Sequence, residues 1–179
     1  MCERDRLAFW TDALNLTGFR VVHESRTTPD EPVRFTVRPT VEYGVCPRCH
    51  AATDHVHRTH TSARVKDLPL SGQAVELTVR TLQFKCEDCV CYFTPHYPAF
   101  FPGAHATERF LQHAAQLIRF SDIQNVAEYF GLSASTLGRW YYAYTARLAN
   151  NPPAQLKPIT TLGIDELSQK KSTGSLSWW

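Results

Sequence analysis

Six cysteines stand in this chain, four of them in two C-x-x-C pairs, and their spacing is that of a metal site. Cys46-Pro47-Arg48-Cys49 and Cys86-Glu87-Asp88-Cys89 flank residues 50–85. Two thiolates two residues apart can grip one face of a tetrahedral ion from a tight turn, and a second such turn closes the tetrahedron. With all four positions filled by protein, no place is left for a reactive water, so the expected zinc is structural and folds the domain. Cys91 forms a C-x4-C alternative with Cys86. The regular spacing favours Cys89, with Cys91 as the alternative fourth ligand, and Cys2 is expected to be a free thiol.

Rival chemistries fit the same residues less well. Cys46 to His50 matches the C-x-x-C-H haem-attachment pattern, which belongs to exported proteins, whereas Glu3, Arg4, Asp5 and Arg6 near the start are followed by no apolar export run. The same reasoning places the thiols in a reducing cytosol, and so predicts a cytoplasmic protein without a disulfide framework. A thioredoxin-like redox pair would need a βαβ setting, and the flanking sequence reads as short strands. His50, His55, His57, His60 and His96 crowd the region. Four thiolates already complete the shell, so these histidines read as surface residues or as partners of the ligands.

At 179 residues, 43% hydrophobic and 20% charged, the chain is globular, with room for one ordinary domain or two or three small ones. No apolar run approaches about 18 residues, so no membrane is expected as a partner. A net charge of +2 permits nucleic-acid binding without arguing for it.

The elements that must position the cysteines follow from periodicity. Leu7, Trp10 and Leu14, with Phe9 and Ala13, share one face of a short helix over Leu7 to Leu16, and Gly18 is its expected stop. Phe19 to His23 and Val33 to Val41 read as a hairpin entering the first knuckle, residues 1–45 forming this N-terminal unit. Arg34 and Arg38 read there as a solvated strand face in preference to phosphate contacts. Within the zinc-binding unit, residues 46–93, Asp67-Leu68-Pro69-Leu70-Ser71-Gly72 reads as a turn. A strong strand runs from Ala74 to Phe84, its apolar parity changing at Leu82 and Phe84 through either a bulge or packing on both faces beside the metal. Residues 94–106, with Pro95, Pro98 and Pro102 among aromatics, are an extended linker.

Residues 107–149 show a trihelical pattern. Thr107 can cap a helix to about Phe120, with Phe110, Leu111, Ala114, Leu117 and Ile118 inward. Ser121 or Asp122 caps a second helix carrying Ile123, Val126, Ala127 and Phe130. Gly131-Leu132-Ser133 then turns into a third, where Leu137, Trp140, Tyr141 and Tyr144 face inward. This is the register of a helix-turn-helix, the bland alternative being a helical hairpin of a protein-interaction domain. The predicted fold class is thus α+β: a small zinc-ribbon-like β domain followed by a three-helix helix-turn-helix domain. If the third helix reads double-stranded DNA, Ser133, Ser135, Thr136, Arg139 and Tyr142 are the candidate contacts. Arg139 would grip guanine or phosphate, and a solvated helix face is the alternative.

The C-P-x-C opening, the second cysteine pair before Tyr92-Phe93-Thr94, the D-L-P-x-x-G segment, the helix-turn-helix and then Leu162-Gly163-Ile164-Asp165-Glu166 together resemble the N-terminal half of bacterial insertion-sequence transposases of the ISL three group. The resemblance covers roughly residues 14–171. It implies binding to the terminal inverted repeats of a mobile element, with a second copy or a full-length transposase as further partner. It also implies a catalytic domain of ribonuclease-H-like fold, in which two aspartates and a glutamate hold two magnesium ions. On that reading residues 150–158 are a linker, residues 159–179 begin a truncated catalytic domain, and Asp165 is the first catalytic carboxylate of an incomplete triad. Glu166, on the opposite strand face, does not replace the missing partners. One carboxylate cannot clamp two metals, so magnesium is expected only in an intact parent enzyme and this chain alone is expected neither to cut nor to join DNA. The alternatives are a freestanding DNA-binding regulator, or an incomplete piece of an active transposase.

Overall fold

A computed structural model describes residues 2–25, 28 and 31–150. The first helix, α1 (Glu3–Leu14), precedes strands β1 (Phe19–Ser25) and β2 (Val33–Pro39), which pair antiparallel. It begins earlier than its apolar pattern suggested and ends at Asn15, whose φ of 43° supplies the left-handed cap expected of Gly18. Phe9, predicted on the inner face, is instead 56% exposed. Leu7, Trp10 and Leu14 do face the sheet, and the Trp10 ring lies 5.2 Å from that of Phe35.

The remaining strands are β3 (Gly44–Val45), β4 (Ala52–Thr53), β5 (Val56–Leu70), β6 (Gln73–Lys85) and β7 (Tyr92–Phe93). The main sheet runs β1-β2-β6-β5, with β7 paired to the end of β6. Its β2-β6 pair is parallel, in the register Val33 to Val75, Phe35 to Leu77 and Val37 to Val79. All six residues are buried, so the alternation of both strands feeds one apolar layer beneath α1. Parallel neighbours need a long crossover, and residues 40–72 supply it with the first knuckle and β5 inside it.

The parity change in β6 is resolved by packing on both faces. Leu77 and Val79 belong to the core under α1, whereas Phe84 belongs to a separate cluster with Cys46, Cys86 and Phe93. The register irregularities of the β5-β6 pair lie between Val56 and Arg58, Ser62 and Val65, and Asp67 and Leu70, all on β5. That strand departs from expectation: residues 67–70, read as a turn, complete a strand whose reversal is Ser71-Gly72.

The helical part comprises α2 (Glu108–Ile118), α3 (Ile123–Tyr129) and α4 (Ala134–Asn150). With α1, the described residues thus hold four helices, and the predicted count of three describes the C-terminal bundle alone. Thr107 caps α2 by accepting from the Phe110 amide at 3.3 Å, and Asp122, not Ser121, caps α3 from the Asn125 amide at 2.8 Å. Phe110, Leu111, Ala114, Val126, Ala127, Leu137, Trp140 and Tyr144 form the bundle core, while Leu117, Ile118 and Tyr141 are half-buried. The proline-rich segment before α2 packs at both ends: Tyr97 and Phe100 meet Phe19 with ring centroids 5.2 and 4.9 Å away, and Phe101 enters the bundle core. Among the described residues, no helix is long and apolar enough to cross a membrane.

Candidate metal centre and nucleic-acid interface

Each C-x-x-C knuckle is the turn of a miniature hairpin, the first between β3 and β4, the second between β6 and β7. The two turns are built alike. The Cys46 amide donates to the Ala51 carbonyl at 2.8 Å, and the Cys86 amide donates to the Cys91 carbonyl at 2.9 Å. The residue before each acceptor, His50 or Val90, is left-handed, with φ of 61° and 57°. This geometry aims the cysteines of both turns at a common point. The Sγ atoms of Cys46, Cys49, Cys86 and Cys89 all lie within 4.8 Å of one another.

Cys91 lies close by, its Sγ 3.2 Å from that of Cys46 and 3.3 Å from that of Cys89. In the repeated turn, however, it occupies the position of Ala51, which has no ligand to offer. Burial opposes ionisation of Cys46, but the Cys49 and Arg48 amides and the Cys91 and Cys89 thiols outweigh it and bring its pKa to about 6. Hydrogen bonding to Cys46 and Cys89 pushes Cys91 up to about 12. The Ala51 amide favours the Cys49 thiolate, but the Cys86 thiol, burial and the Cys46 and Cys89 thiols outweigh it and push Cys49 up to about 12 as well. The Cys91 amide and thiol lower Cys89, so thiolate character is shared by one cysteine of each knuckle. His50, His55, His57, His60 and His96 are exposed, and Cys2 is exposed and free.

Close packing supports the knuckles from one side. Phe84 and Phe93 stack with centroids 5.9 Å apart, and a Cβ on Gly44 would come within 2.9 Å of the Phe93 ring and 3.0 Å of the Phe84 ring. Only glycine lets β3 lie against that pair.

In the bundle, Gly131 takes a φ of 62° and the Leu132 amide donates to the Ala127 carbonyl at 2.8 Å, which turns α3 into α4. Ser133 caps α4, its Oγ accepting from the Thr136 amide at 3.2 Å and bonding the Thr136 hydroxyl at 2.8 Å. That hydroxyl pair is engaged in the cap, and Thr136 is half-buried. Ser135, Arg139 and Tyr142 are exposed at helical spacing on one face of α4. Arg139 has no ion-pair or hydrogen-bond partner among the described residues. Asp165 and the proposed first catalytic strand lie outside the described residues.

One polar constellation was not anticipated. Asp67, read from sequence as a turn residue, is 2% exposed and accepts from the Thr107 hydroxyl at 2.8 Å and from Arg109 at 2.8 and 2.5 Å. Arg109 also donates to the carbonyls of Leu14 and Asn15 at 2.6 and 3.3 Å. Thus β5, the N-terminus of α2 and the end of α1 meet at one carboxylate and one guanidinium. Nothing beside Asp67 in sequence marks its burial: it follows Arg64 and Lys66 and stands at the head of Leu68-Pro69-Leu70-Ser71-Gly72, where an aspartate reads as a turn former.

Comparison with known proteins agrees with both halves of this geometry. Residues 42–89 match the family model described as the zinc-finger of transposase IS204/IS1001/IS1096/IS1165, and residues 96–145 match that described as the helix-turn-helix domain of transposase family ISL3. A transposase for insertion sequence element IS1001 from Bordetella parapertussis is 31% identical over 112 residues, which are 61% of this chain and 27% of that relative. No solved structure gives a significant match. The zinc-finger match and the four-cysteine cluster together support a structural zinc, and the paired domains point to DNA binding in transposition. Residues 42–89 and 96–145 thus carry in order the zinc-finger and helix-turn-helix domains of one transposase family, and together they support an ISL3-family transposase fragment.

Proposed function

We propose that this chain binds double-stranded DNA sequence-specifically at the terminal inverted repeats of a mobile element, with α4 as the recognition helix. The observation that carries the reading is Arg139, exposed and without a partner among the described residues, in the N-terminal half of α4, between Ser135 and Tyr142 on the face turned away from the bundle core. A guanidinium there can make the bidentate contact to guanine, while Ser135 and the backbone at the helix start suit phosphate. Ser133 and Thr136 act mainly by fixing that start through their cap. In this reading Cys46, Cys49, Cys86 and Cys89 hold one zinc, whose part is to fold the two knuckle hairpins. The described residues perform recognition. Asp165 would be the first carboxylate of a catalytic triad that this chain leaves incomplete, with magnesium bound only in an intact parent enzyme.

Binding of a labelled duplex carrying the inverted repeats that flank the coding sequence, set against a scrambled duplex, tests the proposal. Arg139→Ala is expected to weaken the matched duplex by about 1–3 kcal/mol and to flatten discrimination at one base pair. A uniform loss on both duplexes would reassign Arg139 to phosphate. Unchanged binding to both would remove α4 as the reading element.

A further inference from the structure

The face of the main sheet opposite its buried layer carries an arrangement that neither domain assignment uses, with Arg20 and Arg38 also bordering a pocket that Glu3 and Asp12 of α1 help to line. Arg20 on β1 and Arg38 on β2 are directly paired across the two strands. On the other side of β2, the parallel register brings Val37 beside Val79, so Arg38 and Arg80 each follow a paired residue, and both line one groove of about 670 Å³. Thr61 of β5 pairs with Arg80. Three arginines therefore stand in a row across three adjacent strands, on the face opposite the buried Phe19, Val37 and Val79.

Like charges set directly opposite one another repel, and this row is poorly neutralised. Glu42 alone serves two of its members, 3.4 Å from Arg20 and 3.1 Å from Arg38. Arg80 is exposed and has no partner among the described residues. The Nε atoms of Arg20 and Arg38 are buried and meet no acceptor among those residues. The next charged row along the same face differs: there Arg34 and Lys66 are both satisfied by Glu76, at 3.3 and 3.1 Å. Thr36 and Thr78, half-buried and neutral, separate the two rows. Tyr43, 59% exposed, and Thr59 line the groove beside Arg80, while Asp54 and Glu42 bound it with negative charge.

We propose that Arg20, Arg38 and Arg80 form a second DNA contact, a cradle for the phosphate backbone separate from α4. Neighbouring strands lie about 4.8 Å apart, so the row spans about 10 Å. Duplex DNA carries one phosphate per about 3.4 Å of axis on each strand, so roughly two or three successive phosphates fall within reach. The guanidinium fork suits phosphate oxygens, and the hydroxyls of Thr59 and Thr61 add neutral donors beside it. Such a contact fixes register and adds affinity without reading sequence.

The inference rests on the DNA-binding reading above, and salt dependence separates the two. The full chain, zinc-loaded, would be titrated with a fluorescein-labelled duplex of matched sequence and one of scrambled sequence between about 50 and 200 mM salt. Arg38→Gln with Arg80→Gln should flatten the plot of log affinity against log salt by about 0.9 for each arginine, equally on both duplexes. Arg80→Gln alone, at a position that makes no contact needed for folding, should give half that change, and Arg80→Lys should restore the slope. An unchanged slope in the double variant, with Arg139→Ala still weakening binding, would overturn the cradle and leave α4 standing. A flattened slope with Arg139→Ala inert would keep the cradle and remove α4. No binding of either duplex by the wild-type chain would overturn both.

Discussion

Cys46→Ser and Cys86→Ser are each expected to release zinc and unfold the two knuckle hairpins, the largest single-residue effect in this chain. The apolar cluster around the knuckles is small: Phe84, Phe93, Cys46 and Cys86 are its buried members, with β3, β4 and β7 only two residues long each. Two-residue strands cannot hold themselves, so the metal supplies what the core lacks. Structural zinc in small sites contributes on the order of 10–16 kcal/mol of apparent binding free energy, and where the site forms only on folding this is folding free energy. Because the ligands bind as thiolates, the contribution is present at neutral and higher pH and is lost as falling pH protonates them. Elemental analysis should find one zinc per wild-type chain and none in Cys46→Ser, and amide exchange over residues 44–53 and 84–93 should lose its protection. Metal-free Cys46→Ser with an unchanged melting temperature would sink the claim. Cys89→Ser should behave like Cys46→Ser, and Cys91→Ser should keep its zinc, because Cys91 stands where the matching turn has Ala51.

The second large effect is expected at Asp67. Truncation to alanine strands Arg109 and the Thr107 hydroxyl, both of which converge on its carboxylate. Breaking a buried ion pair by removing one partner typically costs about 3–5 kcal/mol. The Arg109 side chain keeps 31% exposure and its bonds to the Leu14 and Asn15 carbonyls, which puts the expected loss near the lower end, about 3 kcal/mol. Asp67→Asn, which retains one acceptor for Thr107 or Arg109, should lose less. Since the same carboxylate joins β5 to the start of α2, Asp67→Ala should also split denaturant unfolding into separate transitions for the sheet and the helical bundle. A single transition within about 1 kcal/mol of wild type would show that the aromatic packing of Tyr97, Phe100 and Phe101 carries the connection by itself.

Local chemistry was enough to read several parts of this molecule from its residues in order. Paired cysteines at C-x-x-C spacing announce their ion because the geometry lies inside four residues. Thr107, Asp122 and Ser133 announce three helix starts because a cap involves only the next three amides. Gly131 announces the turn because its left-handed backbone is needed on the spot. What escaped depends on partners far away in the chain. The first nine residues of β5, Val56 to Arg64, are all exposed and show no alternation, so only hydrogen bonding to β6 makes them a strand. Asp67 looks like a turn former until Thr107 and Arg109 are brought to it from 40 and 42 residues on. Arg20, Arg38 and Arg80 are unremarkable surface residues in sequence. They become a row because β1 runs antiparallel and β6 parallel to β2, a register set by the burial of Phe19, Val37 and Val79 on the other face.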